Sequence, residues 1–380
     1  MGPASAEAPR IAVAPSEPLL NGSADPLRVA FLPVWHRNPY HDSLRRELAR
    51  IGVEVTCPSS LKALCASLDA GERVDVVHLH ALPSLEASWR ELARFGLFHS
   101  RLAGLRRRGI ATVRTVHDLH NHDASLWRLE VRTNRWLARQ IDGLIVHGES
   151  ARARVARTWG TRTAPIHVVP HGHYIDAYPN AVGKAEARAW LGIPPDAFVF
   201  LSLGFIRPYK GIEQMIHAFR GLADPGARLV VAGLPATAAT ERTVRGAIAG
   251  DPRITFAPQL VNDADVQRYL NASDVFVLPY KRVFTSGAAM LAMSFGRPCI
   301  APAATPLVDM LGPDGAIYFD AAAPDGLTAA MARSLREGAA LQRVGERNRA
   351  RAEGFPWAGI ARRTASAYRD ALAHRAATLR

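Results

Sequence analysis

The sequence predicts an α/β fold of two doubly wound parallel-sheet halves facing across a cleft. Three observations predict it. The chain has 380 residues, more than one ordinary domain holds, and its 48% hydrophobic and 21% charged content suits two sizeable cores. Short apolar runs alternate with amphipathic stretches in two successive series, the pattern of parallel strands joined by helices. In the second series two runs break into glycine-bearing, cationic loops just before a helix, where ligands of such sheets bind.

The first series opens with Leu27 to Pro33. A loop, Trp35-His36-Arg37-Asn38-Pro39-Tyr40, and a helix from Asp42 to Arg50 follow it. Further strands are expected at Val53–Thr56, Val74–His80, Ala111–Val116, Ile141–Val146 and Ile166–Val169. His171 to Asp196 is richer in Pro, Gly and Tyr and reads as a hinge. The second series places strands at Phe198–Leu203, Arg228–Ala232, Ile254–Phe256, Val275–Leu278, Pro298–Ala301 and Ile317–Phe319. A last helix, Trp357 to Leu379, is expected to return to the first half. The units are therefore a disordered leader (1–26), a first half (27–178), a second half (179–356) and a C-terminal helix (357–380).

The most informative stretch is Leu203-Gly204-Phe205-Ile206-Arg207-Pro208-Tyr209-Lys210-Gly211. A helix starting near Gly211, with Ile212, Met215, Ile216 and Phe219 on one stripe, turns free N–H groups and a positive dipole end toward this loop. Arg207 adds a planar fork and Lys210 a compact charge, which together suit a diphosphate. The alternative is a surface turn with solvated charges. A second half-site follows Val275–Leu278, in Pro279-Tyr280-Lys281-Arg282-Val283-Phe284-Thr285-Ser286-Gly287. Either Thr285 or Ser286 caps the next helix, and Gly287 allows close backbone approach. Simple capping is the competing reading.

The first half carries different chemistry. His78 and His80 stand at a strand end, and His117, Asp118, His120, His122 and Asp123 cluster past another. Such groups take protons or bind sugar hydroxyls. Zinc held by His117, His120, His122 and Asp123 is an alternative, but their spacing fits no standard motif. Buried structural histidines are another.

A formal charge of +13 asks for an anionic partner. Basic residues are scattered and no nucleic-acid motif is present, so no nucleic-acid partner is expected. Trp89 to Arg108 mixes Trp89, Leu92, Phe95, Leu97, Phe98, Leu102 and Leu105 with six arginines. It is expected to rest on an anionic membrane surface, against the alternative of a core-packing helix with a solvated basic face. No run is long enough to span a membrane, the N-terminus lacks a signal-peptide pattern, and the three cysteines match no metal spacing. A cytoplasmic protein, peripheral on the inner membrane face, is the expectation.

Several pieces together resemble the GT-B glycosyltransferases of the family 4 clan, above all the xanthan-type exopolysaccharide β-1,4-mannosyltransferase group. They are Val77-His78-Leu79-His80, Val113-Arg114-Thr115-Val116-His117-Asp118, His171-Gly172-His173-Tyr174, Ile206-Arg207-Pro208-Tyr209-Lys210-Gly211, Leu278-Pro279-Tyr280-Lys281, Thr285-Ser286-Gly287 and Leu291 to Pro298. Their order matches from Leu27 onward. The resemblance implies two Rossmann-like domains, a GDP- or UDP-sugar donor in the second, and a polyprenyl-diphosphate-linked or other glycan acceptor in the first. On that reading Arg207 and Lys210 neutralise the departing diphosphate, with Gly204, Tyr280, Thr285, Ser286 and Gly287 completing the donor side. Asp118 and His117 face the reacting groups, and Asn38, Tyr40, His80, His117, His120 and His173 the acceptor. The resemblance implies neither cofactor nor metal, because cations and the helix end take the metal's place.

Two departures stand out. Most family 4 members carry two glutamates where Val283 and Leu291 stand, and an arginine where Phe205 stands. The family 4 clan largely retains configuration, whereas the xanthan-type group inverts it. Inversion requires a base, for which Asp118 and His117 rank above Asp123. The expected activity is hexosyl transfer, with mannose from GDP-mannose as one candidate, to a lipid-linked oligosaccharide. Alternatives are a sugar-nucleotide epimerase of the same fold and a non-catalytic sugar-nucleotide-binding subunit.

Overall fold

The computed structural model describes residues 25–34, 39–82, 89–119, 127–160 and 164–378. All but the last two residues of the expected leader lie outside this set, as do Asn38, His120, His122 and Asp123.

The first sheet holds β1 (Leu27–Leu32), β2 (Val53–Thr56), β3 (Val76–Leu79), β4 (Ala111–Thr115), β5 (Gly143–Val146) and β6 (Ile166–Val168). The second holds β7 (Phe198–Leu203), β8 (Ala227–Ala232), β9 (Ile254–Ala257), β10 (Val275–Val277), β11 (Cys299–Pro302) and β12 (Ala316–Phe319). All their pairings are parallel, in the orders β2-β1-β3-β4-β5-β6 and β12-β11-β10-β7-β8-β9. Helices of the first half are α1 (Pro39–Arg50), α2 (Leu61–Asp69), α3 (Trp89–Arg107), α4 (Trp127–Leu137) and α5 (Glu149–Trp159). Those that follow are α6 (Lys184–Trp190), α7 (Ile212–Arg220), α8 (Ala238–Ile248), α9 (Asp263–Ala272), α10 (Gly287–Ser294), α11 (Thr305–Leu311), α12 (Gly326–Glu337), α13 (Ala339–Glu353) and α14 (Trp357–Thr378).

Helices cover both faces of each sheet, so central strands such as β7 read as continuous apolar runs, while edge strand β2 alternates valines with exposed Glu54 and Thr56. Side chains still alternate: Val29 and Phe31 enter one core of the first half while Ala30 and Leu32 enter the other. In β7, Val199, Leu201 and Leu203 face one core and Phe200 the opposite one. Burying each large side chain contributes roughly 1.5–3 kcal/mol.

α14 returns to the first half as expected. Its Ile360, Ala361, Ala365, Tyr368 and Ala371 join the core built on β1, β4 and α1, and Arg375 approaches the fully buried Asp142 at 3.5 Å. The stretch expected as a hinge divides into two parts. Within 171–196 the chain forms α6, whose Arg188 binds Asp274 Oδ2 at 2.7 Å, the oxygen that also accepts from Val199 N. α6 is therefore fastened to the second half, while the crossing between the halves lies near 173, where His173 N donates to Phe355 O. The Trp89–Arg108 expectation also changes, because Leu102 and Leu105 are core residues and Phe98 packs on that core. What remains outward includes Arg94 and Leu97, the latter 53% exposed. No described helix is long and apolar enough to cross a membrane.

Candidate active site

In the second sheet the strand order reverses between β7 and β10, so the loops leaving these two neighbours meet at a topological switch point. After β7 the chain forms a single 3-10 turn, Pro208–Lys210, and Gly211 at φ 68° carries it into α7. Only glycine fits here: a side chain would collide with the Pro279 carbonyl, and the left-handed backbone adds strain. The close approach is fastened by Lys281 N donating to Tyr209 O at 2.9 Å.

This contact brings the two half-sites together. Lys210 Nζ lies 5.9 Å from the Tyr280 ring centroid, and the Tyr280 hydroxyl is 3.2 Å from Ser286 Oγ. Ser286, rather than Thr285, caps α10, its Oγ accepting from Ala289 N at 3.1 Å. Thr285 Oγ1 is buried with no protein hydrogen-bond partner. Part of the Lys210 surface still meets water, yet its recess is crowded. Loss of water, then the nearby Arg207 cation, lowers its ammonium from 10.5 to about 8. Two cations pressed together beside a capped helix end form a site that an anion relieves.

Three of the chain's exposed large apolar side chains stand just past the ends of adjacent strands: Phe205 after β7, Leu234 after β8 and Leu260 after β9. They give the second half an apolar rim beside the cations. Val283 and Leu291 occupy the expected positions of the missing glutamates and pack against the second-half core.

The facing edge of the first half is built of imidazoles. His80, His117, His147 and His171 follow β3, β4, β5 and β6 in turn, and His41 and His78 complete the group. Their rings surround Tyr40, whose centroid lies 5.0 Å from His171, 5.9 Å from His147 and 6.1 Å from His117. His78 is held at both nitrogens, by the Tyr368 and Thr115 hydroxyls at 2.7 Å each. His147 Nδ1 donates to Val169 O and His171 Nδ1 to Gly172 O, which leaves each Nε2 as the lone-pair nitrogen. His80 is 1% exposed and neither ring nitrogen has a protein partner. Burial lowers His78 and His171 to about 3 and holds His80 and His117 well below the usual value, with neighbouring imidazoles adding to the effect. His78, His80, His117, His171 and His147, which burial also lowers, are therefore uncharged near neutrality.

This cluster reaches the second half-site: a Cβ on Gly287 would lie 3.5 Å from Tyr174 Oη and 3.7 Å from His171 Nε2. His173 does not join it. Its backbone is tied to Phe355 and Trp357, and its side chain lines a separate recess with α1. Sequence reasoning missed His41 and His147 as members. The available signal was the histidine found within three residues of four successive strand ends. Among the described residues no group of three or more His, Cys, Asp or Glu side chains is arranged to hold a metal ion.

Two facing sheets with a cationic switch point opposite an imidazole-lined edge define a GT-B glycosyltransferase architecture. The solved structures agree in fold. Sucrose-phosphate synthase from Thermosynechococcus elongatus superposes with TM-score 0.72 at 20% identity, over 90% of this chain and 98% of that one. WaaG, a glycosyltransferase involved in lipopolysaccharide biosynthesis, gives 0.65 at 14%, over 89% and 98%.

Two family models match, "Glycosyltransferase Family 4" over residues 44–176 and "Glycosyl transferases group 1" over 197–337. Among curated relatives, the GDP-mannose:glycolipid 4-beta-D-mannosyltransferase of Xanthomonas campestris pv. campestris is 31% identical over 265 residues, 67% of this chain and 71% of the relative. The D-inositol 3-phosphate glycosyltransferase of Kineococcus radiotolerans is 27% identical over 331 residues, 81% and 74%. The chain belongs to the family 4 glycosyltransferases, and it is an enzyme of that class.

Proposed function

We propose that this glycosyltransferase moves a mannosyl group from GDP-mannose to a hydroxyl of a lipid-linked oligosaccharide, in exopolysaccharide or cell-surface glycan assembly, at the inner face of the membrane. The observation that carries the reading is the meeting of Arg207, Lys210 and the Ser286-capped end of α10 at one switch point. The mannosyl donor and glycolipid acceptor are suggested by the Xanthomonas relative's name.

Arg207 and Lys210 take the charge that develops on the diphosphate as the sugar's C1–O bond breaks, and backbone N–H groups of Ser286 and Gly287 face the same oxygens. Phe205, Leu234 and Leu260 offer the base an apolar rim in place of carboxylate contacts. Asp118 or neutral His117 takes the acceptor proton while the acceptor oxygen bonds to C1. An α-linked donor then yields a β-linked product by single displacement, which matches the relative's name. Tyr40 and His80, themselves buried, back the acceptor side by packing against half-buried His117. Arg94 and Leu97 on α3 supply basic and apolar contacts for an anionic bilayer.

The test is a thermal-shift panel of nucleoside diphosphates and their sugars, followed by transfer of labelled mannose to extracted lipid. GDP and GDP-mannose are expected to raise the melting temperature more than UDP or ADP, because a ligand of the folded state stabilises it. A shift with UDP-sugars alone refutes the donor. Near-normal turnover in both Arg207→Ala and Lys210→Ala removes the diphosphate clamp.

A further inference from the structure

A second cationic pocket lies on the opposite flank of β10. Whereas the clamp occupies the β7 side, this cavity of about 1050 Å³ opens beyond the ends of β10, β11 and β12 and is closed by α5 of the first half. Arg154, Arg157, Lys281 and Arg282 line it, against the single carboxylate of Asp320. Asp320 is already engaged, its Oδ1 accepting from Ala322 N at 2.8 Å. Arg154 is anchored too: it donates to Val283 O at 2.7 Å and lies over the Phe284 ring. Arg157, Lys281 and Arg282 are exposed and have no ion-pair partner among the described residues. The remaining walls are mostly small and apolar, with Pro302, Pro306 and Ala303 among them, and Ser150 and Thr305 add hydroxyls.

Unneutralised cations in a recess repel one another and concentrate field, a cost that an anionic ligand removes. The volume exceeds what a lone phosphate needs and matches pockets that enclose ligands of several rings. Tyr280 borders both this pocket and the clamp, so an occupant sits beside the transferred sugar. The geometry points to a second, acceptor-reading subsite here, which holds an oxyanion, carboxylate or phosphate, borne by the acceptor glycan. The identity of the occupant rests on the transferase reading; the anion site does not. Arg157 and Arg282 grip the oxyanion, and the proline and alanine walls meet sugar C–H faces. Arg154 is a positioning residue that holds the Val283–Phe284 turn between the two sites.

Titration calorimetry with inorganic pyrophosphate and with D-glucuronate tests this in a Lys210→Ala background, which disables the donor clamp. Adding Arg157→Ala and Arg282→Ala is expected to weaken binding of at least one probe tenfold or more. Pyrophosphate responding alone assigns a diphosphate, and glucuronate alone a sugar carboxylate. A change below twofold, or no binding of either probe by the Lys210→Ala protein, overturns the site. The Arg157→Ala/Arg282→Ala protein with Lys210 intact is expected to keep the wild-type thermal shift with GDP, which also establishes its folding. If GDP shifts no variant while the probe data hold, the donor reading fails and the anion pocket stands.

Discussion

Replacing Lys210 with methionine separates the demands of folding from those of catalysis. The ammonium falls from 10.5 to about 8 because burial strips its water and Arg207 opposes its charge. At about 1.4 kcal/mol per pH unit, that is about 3 kcal/mol of destabilisation near neutrality. The side chain keeps some exposure, and screening reduces the figure to about 1–2 kcal/mol. Methionine fills similar volume without charge, so Lys210→Met is expected to be more stable by that amount at pH 7 in urea denaturation. Its turnover should fall on the order of a hundredfold. Below pH 8 the lysine is protonated whether folded or unfolded, and the penalty is complete. Between 8 and 10.5 only the unfolded chain stays protonated, so the wild type gains stability with rising pH and the variant's advantage shrinks. A variant that is less stable than wild type at pH 7, or equally active, refutes the account.

The free enzyme's kcat/KM should decline as pH rises through about 8, where the clamp loses a charge, while kcat of the diphosphate-occupied enzyme holds to higher pH; a flat kcat/KM to pH 9.5 contradicts this. The buried histidines make a prediction of the same sign as Lys210 for folding, in the acid range. His78 and His171 stay neutral down to about 3, while the unfolded chain takes up protons from about 6.5, so stability should fall progressively between those values, detectable as a melting temperature that drops already at pH 5.5. Phe284→Ala removes a ring of the 279–286 loop that is 4% exposed and sits in the first half's core, and should cost about 3 kcal/mol in denaturation together with weaker GDP binding. Phe205→Ala, at a 53% exposed position, should leave the unbound melting temperature unchanged but shrink the shift that GDP produces.

Strands fully covered by helices were legible almost to the residue. Phe198–Leu203 coincides with β7 because burial on both faces leaves an unbroken apolar run, and Val53–Thr56 coincides with β2, an edge strand legible instead from its alternation of inward valines with exposed Glu54 and Thr56. The meeting of the Arg207–Lys210 loop with the Ser286-capped helix end was legible for a related reason: the two loops leave adjacent strands, each marked by glycine and cations. The imidazole cluster was harder, since its rings come from four strand ends and α1, and only the sheet order puts them side by side. The choice of His171 over His173 depends on Trp357, whose indole occupies the space against Gly172 and whose Nε1 donates to His173 O at 2.6 Å. Nothing near residue 171 announces a partner so far along the chain. Helix α6 went unread because seven residues of mixed polarity show no clear period.

That tryptophan has a further consequence. The chain crosses between the halves twice, near 173 and near 355, and the crossings run against each other, with His173 N donating to Phe355 O at 3.1 Å. Two tethers laced at one spot keep the halves in register, with Tyr40 and His171 beside the crossing. Phe284, buried in the first half's core, and Arg154, donating to Val283 O, fasten the 279–286 loop to the first half as well, so the imidazole edge is braced from both sides.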